Sequence, residues 1–205
     1  MDDQHTKQSK EEGFRSRAAY KLIEIDQKYN IFSKKTSCVV DLGFAPGAWS
    51  QVALRRAQTL QTTIRVLGVD LIDCSPPAGA DFLQGDILSK KTHAAVRAYF
   101  SGGVDVVLSD MMANTSGIKD VDHYASMDLC DGVLVLACEL LRKNGSLVMK
   151  YYAGAEDQLL HTRLQKMFHR VHRVKPDASR AELRELYFAC LRRKPEICAE
   201  KIFGP

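Results

Sequence analysis

The chain has 205 residues, 45% hydrophobic and 26% charged, enough apolar material to bury a globular core. Its formal charge of +4 is too small to identify a nucleic-acid partner, and no apolar run approaches the ~20 residues of a membrane-spanning helix. Six cysteines with no CxxC pair and no His at ligand spacing argue against a disulfide scaffold or a zinc site.

The opening segment, residues 1–13, carries four acids and no apolar core, so it is expected to be flexible and matches neither a signal nor a transit peptide. Residues 16–29 read as an amphipathic helix capped by Ser16, with Ala19, Leu22, Ile23 and Ile25 as its apolar positions. Strand and helix signals then alternate. Strands are expected at Cys38–Leu42, Arg65–Val69, Val104–Leu108, Ser146–Met149, Val171–Val174 and Leu186–Leu191, a Pro/Gly loop from Ser75 to Gly79 leads to the short apolar segment Phe82-Leu83, and a turn is expected at Asn144-Gly145. Helices are expected at Ala48–Ala57, Lys90–Phe100, Asp122–Leu141 and Glu156–Phe168. Cys38 and Cys190 fall in apolar strand runs and read as buried free thiols.

This alternation predicts an α/β, Rossmann-like fold: a mostly parallel seven-stranded sheet with helices on both faces. The short link between the last two strands makes the final strand antiparallel. Residues 1–205 are read as one domain, with 195–205 as a C-terminal tail.

The most informative stretch is VVDLGFAPGAWS, residues 39–50. An apolar strand ends in an acid, turns through Gly and Pro, and enters a helix, which is the layout of a nucleotide-type cofactor site. GxGxxG is absent, which argues against a nicotinamide-dependent oxidoreductase. Asp41, Asp70, Asp110 and Lys150 all fall at or just beyond strand ends, where ligands sit in such sheets. Asp70 suits a ribose diol and Asp86 an exocyclic amine; each acid alone reads equally well as a cap or turn residue. Lys150 follows the apolar run SLVM, so a partly buried amine paired with Asp110 is expected. Residues 161–194 hold ten Lys or Arg and three acids, Asp177, Glu182 and Glu185, a net +7 that reads as a phosphate-binding region or a solvated surface. Tyr151 and Tyr152 read as base-stacking or packing residues. His123 reads as a surface residue at a helix N-terminus.

Six segments in order resemble one family: RSRAAYKL (15–22), DLGFAPGAWSQVA (41–53), GVDL (68–71), SDMMANTSG (109–117), GSLVMK (145–150) and KPDASRAELRELY (175–187). They look like the FtsJ-type ribosomal RNA 2′-O-ribose methyltransferases, over about residues 14–194. The resemblance implies a catalytic Lys-Asp-Lys-Glu set at Lys21, Asp110, Lys150 and Glu185. It implies S-adenosylmethionine as methyl donor, held around Asp41, Gly43, Ala45, Pro46, Gly47, Ala48, Trp49, Asp70, Leu71, Asp86, Ile87 and Asp110, and no metal.

Two departures from the family pattern stand out. Met112-Ala113 replaces Ala-Pro after Asp110-Met111, and APGAW replaces APGGW. These variants resemble mitochondrial, fungal-type members, which implies a uridine in the A loop of mitochondrial large-subunit rRNA, free or in a ribosomal particle. The implied enzyme is a monomer in the mitochondrial matrix, with a cytoplasmic location as the alternative. Its RNA contacts would be Arg15, Arg17, Lys21 and the basic C-terminal third. The competing readings are a tRNA anticodon-loop ribose methyltransferase and a non-catalytic ribosome-assembly factor of the same fold.

Overall fold

The computed structural model describes residues 4–180 and 184–205. Glu182 and the first three residues of the 1–13 segment lie outside the described residues. In chain order the elements are α1 (Gln4–Glu11), α2 (Ala19–Tyr29), β1 (Cys38–Leu42), α3 (Ala48–Thr59), β2 (Arg65–Asp70), β3 (Ala80–Gln84), α4 (Lys90–Tyr99), β4 (Val104–Ser109), α5 (Lys119–Leu140), β5 (Leu141–Tyr152), α6 (Asp157–Met167), β6 (Phe168–Val174), β7 (Glu185–Arg193) and α7 (Ala199–Phe203).

The seven strands form one sheet in the order β3-β2-β1-β4-β5-β7-β6. From β3 to β5 all neighbours are parallel, and β7 runs antiparallel to both β5 and β6. The expected sheet, mostly parallel with an antiparallel last strand, is the observed one. β1, CVVDL, is buried at every position, as a central strand covered on both faces must be.

Side-chain alternation sorts the core into two layers. Val40, Leu42, Leu67, Val69, Val107, Leu147 and Met149 meet apolar side chains of α4, α5, α6 and α7. Val39, Val66, Val106, Leu108, Val148, Tyr187 and Ala189 meet those of α2 and α3. Cys38 and Cys190 are buried, as expected. No helix among the described residues is long and apolar enough to cross a membrane.

Several local features differ from the sequence reading. The helix begins at Ala19 rather than Ser16; the Ser16 hydroxyl instead accepts from the Ala18 amide at 3.2 Å, just ahead of the helix. Asn144-Gly145 is not a free turn but a bulge inside β5: β4 pairs Val104 with Leu141 and then Val106 with Ser146, and Asn144 takes a left-handed φ of 65°. The helices α1 and α7 are absent from the sequence reading. α1 is polar almost throughout, and α7 is a single short turn pinned by buried Ile202.

Candidate active site

The turn after β1 is fastened to β2. The amides of Gly43 and Phe44 both donate to the Val69 carbonyl, at 2.9 and 3.2 Å. The Phe44 ring lies on Gly68, where a Cβ would stand 2.1 Å from the ring. Gly43 and Gly47 have φ of 74° and 109°, a region that L side chains rarely enter. Asp70 closes the arrangement, accepting from the Ala45 amide at 2.8 Å and from the Ile72 amide at 3.0 Å. Arg15 donates to the Pro46 carbonyl at 2.9 Å, so one of the residues read as an RNA contact braces this turn.

A cavity of about 250 Å³ opens beyond these strand ends. Gly43, Ala45, Asp70, Leu71, Asp86, Ile87 and Asp110 line it, together with Val69, Ile72, Gly85, Met111, Met112 and Leu129. Three carboxylates and an apolar wall suit a ligand with a flat apolar ring, hydroxyl or amine donors and positive charge. Leu71 and Ile72 are about two-thirds exposed at its mouth, unusual for aliphatic side chains unless something covers them. The residues thus fit the cofactor that the resemblance implies.

The other candidates sit behind this cavity rather than on it. Pro46, Gly47 and Ala48 shape the turn and the start of α3. Trp49 is buried; its indole N–H donates to the Ala18 carbonyl at 2.8 Å, and its ring packs on Tyr187. Asp41 is 1% exposed on the α3 side of the sheet. One of its oxygens accepts from Ser50 Oγ at 2.7 Å, and the other has no hydrogen-bond partner among the described residues. Burial pushes its pKa up to about 8 against the pull of the Ser50 bond, with the nearby Asp110 charge adding to the rise.

The four residues of the implied catalytic set converge in one cluster. Lys150 Nζ lies 3.1 Å from Asp110 Oδ1 and 3.7 Å from Glu185 Oε1, and Lys21 Nζ lies 3.5 Å from Glu185 Oε2. Strand register explains the meeting. Leu108 pairs with Val148, and Lys150 and Tyr152 pair with Tyr187 and Glu185. Alternation therefore puts Lys150, Tyr152, Glu185 and Tyr187 on the α2 face, with Asp110 arriving two residues after Leu108. Burial works against the charge of Lys150, but the Asp110 and Glu185 carboxylates outweigh it and hold its pKa above the ordinary lysine value. Asp110 and Met112 also line a second cavity, with Lys21, Lys150, Arg180, Glu185, Ser16, Arg17 and Ala18, so Asp110 is a wall common to both.

Tyr187 is the residue that sequence reasoning missed. It is fully buried and donates its hydroxyl to Asp110 Oδ1 at 2.9 Å. Burial and the Asp110 charge push its pKa far up, so it remains a donor. Its one sequence signal was its place two residues after Glu185 in a strand.

Two expectations are corrected, for His123 and for the basic segment, and the two readings of Tyr151 are reduced to one. His123 is not a surface residue: it is 1% exposed, with Nδ1 2.8 Å from the Tyr152 carbonyl and Nε2 accepting from the Glu156 amide at 2.9 Å. It clamps the loop that follows β5, and Gly154 leaves room for its ring; a Cβ there would stand 2.3 Å from His123 Cγ. Gly154→Ala is expected to destabilise the fold by about 1–3 kcal/mol, read as a drop of several degrees in Tm; an unchanged Tm would mean the loop yields freely. Of the two readings of Tyr151, packing is the observed one: it is fully buried and stacks on Phe188 with centroids 4.5 Å apart. The basic segment is largely committed internally. Arg163 pairs with Asp131, Arg184 donates to the Ala153 carbonyl, Arg193 donates to the Leu141, Cys138 and Ile197 carbonyls, and Lys166 and Lys194 bond to the Gly204 and Gln165 carbonyls.

Comparison with known proteins gives one family. Residues 14–193 match the FtsJ-like methyltransferase family. "rRNA methyltransferase 2, mitochondrial" of Schizosaccharomyces pombe is 42% identical, over 94% of this chain and 93% of that protein. The Saccharomyces cerevisiae protein of the same name is 35% identical, over 100% and 88%. "Ribosomal RNA large subunit methyltransferase E" of Acidiphilium cryptum is 40% identical, over 96% and 84%. Among solved structures, the "ribosomal RNA methyltransferase, putative" from Plasmodium falciparum aligns with a TM-score of 0.79 at 30% identity, covering 88% of this chain and 98% of that one.

Proposed function

The chain belongs to the FtsJ-like methyltransferase family, and from that membership we propose that it methylates a ribose 2′-hydroxyl of large-subunit rRNA. The proposed target is a uridine of the A loop, and the proposed setting is the mitochondrion. The observation that carries this reading is the alternating cluster Lys21–Glu185–Lys150–Asp110, whose last member also walls the carboxylate-lined cavity. The names of the two yeast relatives support the rRNA substrate and the mitochondrial setting.

S-adenosylmethionine, when bound, supplies a methyl group on a positively charged sulfur. Asp70, which keeps free lone pairs beside its two backbone bonds, would accept from the ribose diol, and Asp86 would accept from the adenine amine. Leu71, Ile72 and Ile87 would cover the ring. Asp110 would face the methyl group and, through its bond to Lys150, hold the ammonium beside the incoming hydroxyl. A ribose hydroxyl is a weak nucleophile, so holding it in line matters most, and such alignment supplies up to roughly 7–11 kcal/mol in favourable cases. Of the two roles open to Lys150, its raised pKa favours the ammonium: it stabilises negative charge growing on the 2′-oxygen while the proton leaves to water in the open second cavity. Lys21 and Glu185 hold the opposite side of that ammonium and of the hydroxyl.

Tyr187→Phe removes one donor from Asp110 without changing the packing. The rate constant for methyl transfer is expected to fall roughly tenfold, the scale of one hydrogen bond to a charged group. Single-turnover kinetics with labelled cofactor reads it; a rate within twofold of the parent would assign Tyr187 to packing alone.

Methyl transfer from labelled S-adenosylmethionine to mitochondrial large-subunit rRNA, cytosolic rRNA and bulk tRNA tests the whole reading, with the product mapped by 2′-O-methyl-sensitive primer extension. A single stop in the A loop supports it. Label in tRNA alone would move the substrate to the anticodon loop. No label in free RNA or in large-subunit precursors would leave the assembly-factor reading.

A further inference from the structure

The edge of the sheet opposite the tetrad carries a third cavity, of about 430 Å³, walled by the α2–β1 loop, the β5 bulge, β6 and the end of β7. Lys35, Lys143, Arg170 and Arg192 line it, and none of the four has a hydrogen bond or ion pair from its side chain among the described residues. The one acid on its wall, Asp105, is already engaged: it pairs with Arg142 at 3.1 Å and accepts from the Ser37 and Cys38 amides. Four like charges around one hollow, all on exposed side chains, gather a positive potential that attracts an anion.

The distribution of charge reinforces this. Of the ten basic residues in 161–194, Arg163, Lys166, Arg173, Arg184, Arg193 and Lys194 are spent on internal contacts. Arg170 and Arg192 are the members that line this hollow. Asn30 ends α2 as its left-handed C-cap, Asn144 sits in the β5 bulge and Arg192 has a φ of 60°, and all three lie on its wall. Tyr29, stacked on His172 with centroids 4.6 Å apart, adds an aromatic face.

We propose that this hollow is a second RNA contact, binding backbone phosphates of the substrate at a distance from the methylated nucleotide. Ser146 on its wall and Lys150 in the tetrad lie four residues apart on one strand, roughly 13 Å, and α2 runs between the two openings, with Lys21 at one and Tyr29 at the other, so an RNA that reaches both must pass over that helix. This rests on the RNA substrate proposed above. It implies that a minimal A-loop hairpin engages the tetrad but not the hollow, whereas a longer rRNA segment with its flanking helices engages both.

The test compares the parent with a Lys35→Gln, Lys143→Gln, Arg170→Gln, Arg192→Asn variant, asparagine being chosen because it tolerates the left-handed backbone. Affinity for an A-loop hairpin and for a long mitochondrial large-subunit rRNA transcript is measured across salt concentration. The parent should prefer the long RNA; in the variant that preference should shrink by roughly tenfold or more, and the slope of log K against log salt on long RNA should flatten by about 3–4, near 0.9 per lost duplex phosphate contact. An unchanged preference and slope would overturn the proposal. If the fourfold variant does not fold, Lys35→Gln and Lys143→Gln, both at exposed positions, are read singly for a slope change of about 0.9 each. Methyl transfer by the parent is scored separately. Transfer with an unaltered variant slope removes the hollow and keeps the function; no transfer with a flattened slope removes the function and keeps the hollow; neither effect removes both.

Discussion

Methyl transfer is expected to fall by roughly a thousandfold when Lys150 is replaced by methionine. The loss of one positioned donor at a site of developing charge accounts for a factor on the order of 10²–10³. Lys150 is also the centre of the cluster, within 3.1 Å of Asp110 and 3.7 Å of Glu185, so the change moves two carboxylates as well. Breaking a buried ion pair costs about 3–5 kcal/mol because the surviving charge is stranded. Methionine keeps the stem's volume, so packing is retained and Tm should drop without loss of folding. Lys150→Arg separates the two effects. It retains the positive charge and most of the stability, yet its planar fork cannot take the place of a compact ammonium, so activity should remain low. Single-turnover rates and thermal unfolding on both variants provide the check, and more than a tenth of parental rate in Lys150→Met would sink the assigned role. Because the folded pKa of Lys150 is raised, the stabilisation from its charge is fully present below about 10.4 and is lost only as pH climbs beyond that. The pair is therefore intact throughout the neutral range.

Asp41→Asn works in the opposite direction and should stabilise the free protein. Asp41 is buried, one of its oxygens lacks a partner among the described residues, and its folded pKa stands near 8. In the unfolded chain the same group ionises near 3.9. Between those values the folded state holds a proton that the unfolded state has released, so stability declines as pH rises from about 4 to about 8. The slope for one such group is on the order of 1.4 kcal/mol per pH unit. Asparagine does not titrate, so the variant's advantage in Tm should widen with pH, reaching roughly 5–10 °C near pH 7.5 and shrinking steadily towards pH 5. A Tm difference that does not vary with pH would refute the explanation. Cofactor affinity measured on the same variant shows what the aspartate is kept for, since a cationic ligand above the turn would favour its ionised form.

The readable part of this site was the part built by local rules. In a parallel sheet each strand delivers its last residue to the same edge, so Asp41, Asp70, Asp110 and Lys150 could be placed together from apolar runs that end in charges. Asp86 and the glycine turn followed from the same strand-to-helix layout. Glu185 was reached only through the family resemblance, because an acid at the start of an antiparallel strand has no periodicity to mark it. Tyr187 was missed because a tyrosine in an apolar strand reads as core, which it is; only the pairing of β7 with β5 brings its hydroxyl onto Asp110. His123 was misjudged because polar residues in the first turn of a helix usually face water, whereas here the loop after β5 folds back over the ring.

The charge pattern divides the same way. Composition showed that residues 161–194 are basic, but a count of lysines and arginines carries no directions. Packing decided that Arg193 would cap the last carbonyls of α5, that Arg163 would pair with Asp131, and that Arg170 and Arg192 would turn to the far edge of the sheet. The sequence by itself determined the strand–helix alternation between α2 and β7, the parallel sheet with its reversed final strand, and the edge where the cofactor-type cavity opens, because these follow from periodicity, turn chemistry and strand polarity within short windows. Beyond the Lys150–Asp110 pair, which neighbouring strand ends brought together, tertiary structure decided which charges meet, which are buried and which stay unpaired, because those depend on strand register and on contacts between residues more than a hundred positions apart, such as Lys21 and Glu185.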